Sequence, residues 1–242
     1  MKEVALKENL IMYQFEADDK KILGQNIFVL FSDDECIVFD AGYERHMEQV
    51  LKHLTNHTIK HVICTHFHPD HVYGLNVLPK QSVIGSKYAL ETLTMFEDES
   101  NELLLPDIIV NDTYQLEFDN HIITLTICPG HSNCGMLIDI DGEFLLVGDD
   151  YMSTNDNIPV LPYIAESIKQ HIESLQFIVN HYNGYTFLPS HGVKTKNIDD
   201  LNFRIRYLLF TLTREVDITK LYNKNDVHFK NENWHKLNVK KK

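Results

Sequence analysis

The first part of the chain alternates short apolar segments with polar, turn-forming residues. Residues 10–15, 26–31, 36–39 and 61–64 form apolar runs of strand length, and each is bounded by charged or small residues. Between the last two runs, the period changes from that of a strand to that of a helix. Apolar residues there fall at i, i+3, i+4 and i+7, namely Met47, Val50, Leu51 and Leu54. This strand–helix–strand order favours a parallel crossover, with helices covering a sheet.

The rest of the chain continues the mixture of strands and helices. Further strands are predicted at 83–86, 123–127, 136–140, 144–147 and 185–188, and further helices at 87–95, 164–179 and 201–212. Asp141 and Gly142 separate two of these strands and predict a two-residue hairpin. We therefore predict an α/β (α+β) domain over residues 1–216, followed by a polar, basic tail over 217–242.

Composition narrows the class of protein. The chain has 242 residues, of which 43% are hydrophobic, and this is enough for a substantial core. Its net charge of −13 disfavours nucleic acid as a partner, because phosphate binding calls for basic patches. No apolar run reaches the roughly 18 residues of a membrane span, and no secretory signal is recognised. The four cysteines form no C-x-x-C pair, which favours free thiols in the cytoplasm.

Residues 65–74 carry the strongest chemical signal, since three histidines and an aspartate fall within six positions directly after an apolar run. Imidazole and carboxylate groups are the usual ligands of zinc and related metals. In an extended segment His66 and His68 point to the same side, whereas Pro69 bends the path so that Asp70 and His71 address a neighbouring point. This layout favours two adjacent metals, and the alternative is a surface loop with solvated histidines.

Further aspartate and histidine residues, the types that bind metals, occur where predicted strands end. They are Asp40, the group from His66 to His71, His131, Asp149 and His191. Open α/β folds place their sites in loops at the carboxyl ends of strands. A glycine or proline accompanies nearly every one of these residues, as expected where the backbone turns tightly to direct a side chain.

These motifs resemble those of the metallo-β-lactamase superfamily, and in particular its glyoxalase II and lactonase-like branch. The resemblance rests on segments 40–42, 66–71, 129–132, 148–149 and 189–192, which follow one another in the family's order. It implies a four-layer αββα sandwich with the metals at one edge, between two sheets. It also implies two divalent ions, with zinc as the default and iron or manganese as alternatives.

The resemblance further assigns a role to each matching residue. His66, His68 and His131 would hold the first metal; Asp70, His71 and His191 would hold the second. Asp149 would bridge the two metals, and Asp40 would orient the ligand loops from behind. Each metal keeps an open position, so that a bridging hydroxide can attack a small ester, lactone or thioester. Asp70 or Asp149 would act catalytically by taking the proton as the intermediate collapses.

Departures from the family pattern refine the expected substrate. β-Lactam-hydrolysing members typically carry cysteine where Asp149 stands and are exported, which disfavours an antibiotic substrate. The sequence shows no set of basic residues of the kind that binds glutathione in glyoxalase II-like thioesterases. This disfavours a glutathione thioester as the substrate, but not thioesters in general. Tyr73, Tyr151 and Tyr163 are candidate hydrogen-bond donors to an oxyanion, and packing is the alternative role for each.

Two other functions remain open at this stage. One is a mononuclear iron dioxygenase of the persulfide type, and the other is a non-enzymatic, metal-binding regulatory domain. The substrate is expected to be a small molecule, with no membrane partner, and homo-oligomerisation is left open.

Overall fold

The fold was analysed in a computed structural model of the chain. It describes residues 1–17, 23–79, 82–96, 102–157, 159–160, 167–196 and 201–202. The predicted helix beyond residue 202 and the predicted tail over 217–242 lie outside these ranges, so the proposed domain boundary stays a prediction. Within them, no helix is long and apolar enough to span a membrane. All four cysteines are buried and free, as the sequence predicts.

The first sheet has seven strands that pair in their order along the chain. These strands are β1 (Lys2–Ala5), β2 (Leu10–Phe15), β3 (Gln25–Phe31), β4 (Glu35–Phe39), β5 (Thr58–Ile63), β6 (Ser82–Ser86) and β7 (Ile108–Val110). The first four are antiparallel to one another, and β4 to β7 are parallel. The predicted parallel crossover between β4 and β5 is therefore confirmed.

The second sheet has five strands in the order β14-β11-β10-β9-β8. They are β8 (Thr113–Phe118), β9 (His121–Ile127), β10 (Met136–Ile140), β11 (Phe144–Gly148) and β14 (Thr186–Pro189). The predicted hairpin joins β10 and β11, and Asp141 and Gly142 both have a positive φ, of 59° and 68°. A small separate ribbon pairs β12 (Met152–Ser153) with β13 (Pro159–Val160).

Helices cover the outer faces of the two sheets. They are α1 (Glu44–Val50), α2 (Pro69–Val72), α3 (Ala89–Leu93) and α4 (Ile168–His181), with short 3-10 helices at Leu51–His53, Tyr73–Val77 and Glu102–Leu104. One apolar cluster packs α1, α2 and α3 on the first sheet, another fills the space between the sheets, and a third packs α4 on the second sheet. The predicted four-layer αββα sandwich is confirmed.

Three local details differ from the sequence prediction. The bend expected at Pro69 is the start of helix α2, because proline is favoured in the first turn of a helix, where its missing N–H costs nothing. Strand β8 was not predicted, although its apolar residues Tyr114, Leu116 and Phe118 alternate with exposed ones. The helix predicted from residue 164 begins at Ile168, where the Ser167 side chain accepts a hydrogen bond from the Gln170 amide.

Candidate metal centre

The seven side chains predicted as metal ligands lie together at one edge of the sandwich. Three overlapping groups can be drawn, and in each the nitrogen or carboxylate oxygen atoms lie within 4.8 Å of one another. The groups are His66–His68–His131, His66–His71–Asp149 and Asp70–His71–His191. Because His66 and His71 each belong to two groups, the seven side chains form one continuous cluster.

Three imidazole nitrogens converge in the first group. His68 Nδ1 lies 3.1 Å from His66 Nε2 and 2.9 Å from His131 Nε2. The sequence prediction that His66 and His68 face the same side is therefore confirmed. Side chains from two different loops thus aim at a single point, as a metal ion with nitrogen ligands requires.

Asp149 connects the two ends of the cluster. Its Oδ2 lies 3.4 Å from His191 Nε2 and 3.6 Å from His131 Nε2, and its Oδ1 lies 3.5 Å from His71 Nε2. The residue follows β11 directly, after Gly148, whose φ of +51° disfavours other side chains. A carboxylate at this point can contact ions held by either end of the cluster.

Asp40 organises the cluster from behind and is almost fully buried. Its carboxylate accepts hydrogen bonds from His71 Nδ1 at 2.9 Å, from the Thr65 amide at 2.7 Å and from Ser190 Oγ at 2.9 Å. The Thr65 hydroxyl also donates to Asp40, at 2.8 Å. One side chain thereby ties together the loops that carry His66, His71 and His191.

A hydrogen bond at Nδ1 also fixes the orientation of two further histidine rings, those of His191 and His66. His191 Nδ1 donates to the Gly24 carbonyl at 2.5 Å, and His66 Nδ1 lies 3.2 Å from the Thr65 hydroxyl. Since Nδ1 is engaged in each ring, Nε2 faces the cluster, and it offers a lone pair there once the ring is neutral. Sequence reasoning missed the roles of Thr65, Ser190 and Gly24, and the only signal for the first two is that each directly precedes a predicted ligand.

Helix α4 supports the loop that carries His131. Ser174 Oγ on this helix donates to the Pro129 carbonyl at 2.7 Å, and the His131 amide donates to Asp150 Oδ1 at 2.9 Å. Asp150 Oδ1 lies 3.3 Å from Nδ1 of the fully buried His171. The loop approaches the helix so closely that a side chain at Gly130 would collide with Asp150, which explains the glycine.

Replacing Ser174 with alanine is expected to lower the free energy of unfolding by about 1 kcal/mol, since the partly buried Pro129 carbonyl loses its donor. It should also reduce the metal affinity of the group containing His131. Thermal unfolding and competitive titration with a chelator measure the two effects. Ser167→Ala is the matched control, because it removes a helix cap of similar value, about 1 kcal/mol, and leaves the loop unchanged. Equal metal affinity in both variants would refute the supporting role of Ser174.

Burial and neighbouring charges lower the pKa of two histidines of the cluster and raise the pKa of two others. Burial and the neighbouring histidines lower the pKa of His66, and they lower that of His68 to about 3. Burial also opposes charge on His191, but Asp149 and Asp70 outweigh it and raise the pKa of His191 to about 10. Asp149 and the other nearby carboxylates similarly raise the pKa of His71.

The two carboxylates of the cluster stay ionised. Although burial raises the pKa of Asp70, His71 and His191 outweigh it and hold the pKa below its ordinary range. The pKa of Asp149 is likewise lowered, since His191 and His71 overcome the effect of burial. In the metal-free protein, two imidazolium groups thus balance two carboxylates.

Two buried atoms of the cluster indicate that a cation fits there. His71 Nε2 and Asp149 Oδ1 are buried, face each other at 3.5 Å and have no hydrogen-bond partner. Buried polar atoms are almost always satisfied, so this pair calls for a ligand. A divalent metal would satisfy both atoms, and the mixed nitrogen and oxygen donor set suits zinc, iron or manganese.

Metal binding is expected to release about two protons per chain at pH 7, because His71 and His191 must lose theirs before they can bind a cation. Calorimetric titration of the chelator-treated protein with zinc, in buffers of different ionisation enthalpy, counts these protons. His121→Gln, at a histidine outside the cluster, serves as the control and should leave the number unchanged. Binding without proton release would contradict this charge distribution.

The three candidate tyrosines differ in placement. Tyr151 is buried in the apolar cluster between the second sheet and α4, where its ring takes part in core packing, and its role as an oxyanion donor stays a prediction. Tyr73 is half-buried on the 3-10 helix that follows α2, and its interpretation stays a prediction. Tyr163 lies outside the described residues.

Phe96 was not among the predicted site residues but lies next to the cluster. Its side chain is about half exposed, and its ring centroid is 5.0 Å from that of His68.

Comparison with known proteins agrees with this geometry. Residues 21–184 match the family model described as the metallo-beta-lactamase superfamily. A curated relative, the beta-lactamase-like protein 2 homolog of Caenorhabditis elegans, is 23% identical over 209 residues, which are 84% of this chain and 67% of the relative.

Solved structures show the same fold. A metallo-beta-lactamase from Pontibacter korlensis superposes with a TM-score of 0.71 at 12% identity, covering 86% of this chain and 98% of that one. The DIM-1 metallo-beta-lactamase gives a TM-score of 0.71 at 16% identity, with coverages of 87% and 97%. Since the family model spans well over half of its residues, the chain belongs to the metallo-β-lactamase superfamily.

Proposed function

We propose that the protein is a binuclear metallohydrolase that cleaves an ester, thioester or lactone bond in a small substrate. The observation that carries this proposal is the position of Asp149, whose two oxygens reach toward both ends of a cluster of ligand-type side chains. A cluster for one metal would need neither the second group, Asp70–His71–His191, nor a carboxylate shared between the groups.

The residues divide between the two ions as follows. His66, His68 and His131 would hold one ion; Asp70, His71 and His191 would hold the other, and Asp149 would contact both. When bound, the metals supply a water-derived nucleophile near neutral pH and polarise the bond under attack. No serine or cysteine nucleophile is needed, which agrees with the burial of all four cysteines.

The protein's own groups supply orientation and proton transfer. Asp70 is the more exposed of the two cluster carboxylates, since 27% of its side chain is accessible to solvent and only 7% of that of Asp149 is. Asp70 therefore faces the side from which a substrate arrives, and we assign it the transfer of a proton to the leaving group. Asp40 holds the His71 ring in the tautomer that keeps Nε2 directed at the cluster.

The rim favours a substrate with an apolar portion. The ring of Phe96 lies edge-on to that of His68 and is about half exposed, so an apolar group next to the scissile bond can pack on it. Tyr73 is the remaining tyrosine candidate for a hydrogen bond to the developing oxyanion.

Metal analysis of the purified protein, followed by a substrate panel on the metal-loaded form, tests the proposal. We expect about two divalent ions per chain and hydrolysis of at least one ester, thioester or lactone. One iron per chain with oxygen uptake on a persulfide would instead establish the dioxygenase function. Two bound metals without turnover of any panel ester, lactone, thioester or phosphodiester would favour the regulatory function.

A further inference from the structure

Helix α4 carries a fully buried histidine that is not one of the predicted metal ligands. The side chain of His171 has no accessible surface, and neither of its ring nitrogens makes a hydrogen bond within the part of the chain that the structure describes. Buried polar atoms are almost always paired, so an imidazole in this position calls for an explanation. The polar atom that it faces is Oδ1 of Asp150, which lies 3.3 Å from Nδ1.

Asp150 connects this ring to the metal centre. The residue directly follows Asp149, the ligand shared between the two groups, and only 5% of it is exposed. The oxygen that faces His171 also accepts a hydrogen bond from the His131 amide, at 2.9 Å. A buried carboxylate is costly unless donors surround it, so a second N–H donor on the side of α4 stabilises Asp150 in this position.

The loop that carries His131 packs directly on this pair of side chains. A side chain added at Gly130 would place its Cβ 2.6 Å from Asp150 Oδ1 and 2.9 Å from His171 Nδ1, both closer than van der Waals contact allows. Because a close-packed interior transmits displacements, a shift of Asp150 moves this loop and the His131 ring with it.

The second ligand group is supported from a different part of the fold. Asp40 holds the ring of His71, and the Gly24 carbonyl holds that of His191. Both supports belong to the first sheet, where Asp40 follows β4 and Gly24 precedes β3, whereas α4 packs on the second sheet. A change at His171 is therefore expected to act mainly on the first ligand group.

We propose that His171 is a positioning residue for the first metal ion: its Nδ1–H donates to Asp150, which in turn holds the His131 amide. The inference rests on the two-metal arrangement of the proposed function and adds a support that serves one of the two ions. We expect the 3.3 Å contact to reach full hydrogen-bond geometry once an ion fixes the His131 ring.

Zinc titration of the chelator-treated full chain, followed through the ring-nitrogen resonances of His131 and His191, measures the two ions separately. His171→Leu removes the donor and should weaken zinc binding at His131 about 10- to 100-fold, with little change at His191. His171→Asn, whose amide nitrogen can take the place of Nδ1, should restore most of the affinity. Equal weakening at both histidines, or none at either, would refute the proposal. Asparagine no better than leucine would refute the donor role.

Two further variants separate this role from general packing. Ile178→Val is the matched control, because Ile178 is fully buried on the same helix; it should lower the melting temperature and leave both zinc affinities unchanged. If His171 acts through Asp150, adding Asp150→Asn to His171→Leu should weaken the first ion no further than the stronger single variant does. Fully additive losses would refute the assigned route.

A spectroscopic signature tests the hydrogen bond itself. In the zinc-loaded protein, the Nδ1 proton of His171 should be visible by NMR and protected from exchange with solvent, and a ring protonated at Nε2 alone would overturn the proposal. Failure of the proposed function looks different. A wild-type chain that binds one ion only would refute the binuclear centre, and the His171 assignment would then be decided by whether His171→Leu weakens that ion at His131.

Discussion

Replacing Asp149 with asparagine is expected to lower kcat/KM by about a thousandfold or more and to reduce the metal content to one ion or less per chain. Asparagine keeps the size of the side chain but removes the charge that faces His71, His131 and His191. Metal-supplied charge stabilisation amounts to several kcal/mol in hydrolysis, and about 4 kcal/mol corresponds to a factor of 10³. Both quantities can be measured on the purified variant.

A control is needed because any loss of an aspartate changes the net charge by one. Asp112 is exposed, lies outside the cluster and makes no side-chain hydrogen bond to the residues that the structure describes, so Asp112→Asn should retain full activity and metal content. Full turnover with two metals bound in Asp149→Asn would refute the bridging assignment. One retained metal with residual turnover would show that a single ion supports the reaction, contrary to the proposed binuclear centre.

The predictable part of the site is the part encoded locally. His66 and His68 lie two residues apart in an extended segment, and the period of a strand is enough to bring their rings together. The position of Asp149 at the end of a strand follows from the apolar run before it. Such features depend only on neighbouring residues, and hydrophobic patterning detects them.

The contacts between distant segments could not be derived from patterning. Asp40 and Ser190 are 150 positions apart and meet only because the two sheets stack with a particular offset. The support that Ser174 gives to the Pro129 loop likewise depends on how α4 packs on the second sheet. Family resemblance supplied the pairing of the ligands and the place of Asp40 behind them, whereas the supporting roles of Ser190 and Ser174 emerge only from the packing of side chains.

Some secondary structure was missed for a related reason. Strand β1 has mostly exposed residues at the edge of the first sheet, so it shows no alternation that would predict it. Strand β7 is only three residues long, which is too short for a period to be recognised. Pairing with a neighbouring strand stabilises both elements, and this pairing is a tertiary property.

Alanine at position 40 is expected to lower the free energy of unfolding by about 3 kcal/mol and the metal affinity by about 10- to 100-fold. The substitution removes the buried acceptor shared by His71, Thr65 and Ser190. For a domain of this size the loss corresponds to a melting temperature roughly 9 °C lower. Without Asp40 the His71 ring can rotate, and its Nε2 is then no longer held toward the cluster.

The backbone at Asp40 requires a specific control. Its φ of 56° is left-handed, a conformation that aspartate tolerates better than alanine does, so part of the loss would arise from the backbone alone. Asp119 has a similar φ of 53° and is exposed, and Asp119→Ala therefore measures the conformational cost, about 1 kcal/mol. The excess loss in Asp40→Ala gives the contribution of the hydrogen-bond network. If both variants lose the same free energy of unfolding and Asp40→Ala keeps its metal affinity, Asp40 contributes only through its backbone conformation and does not orient His71.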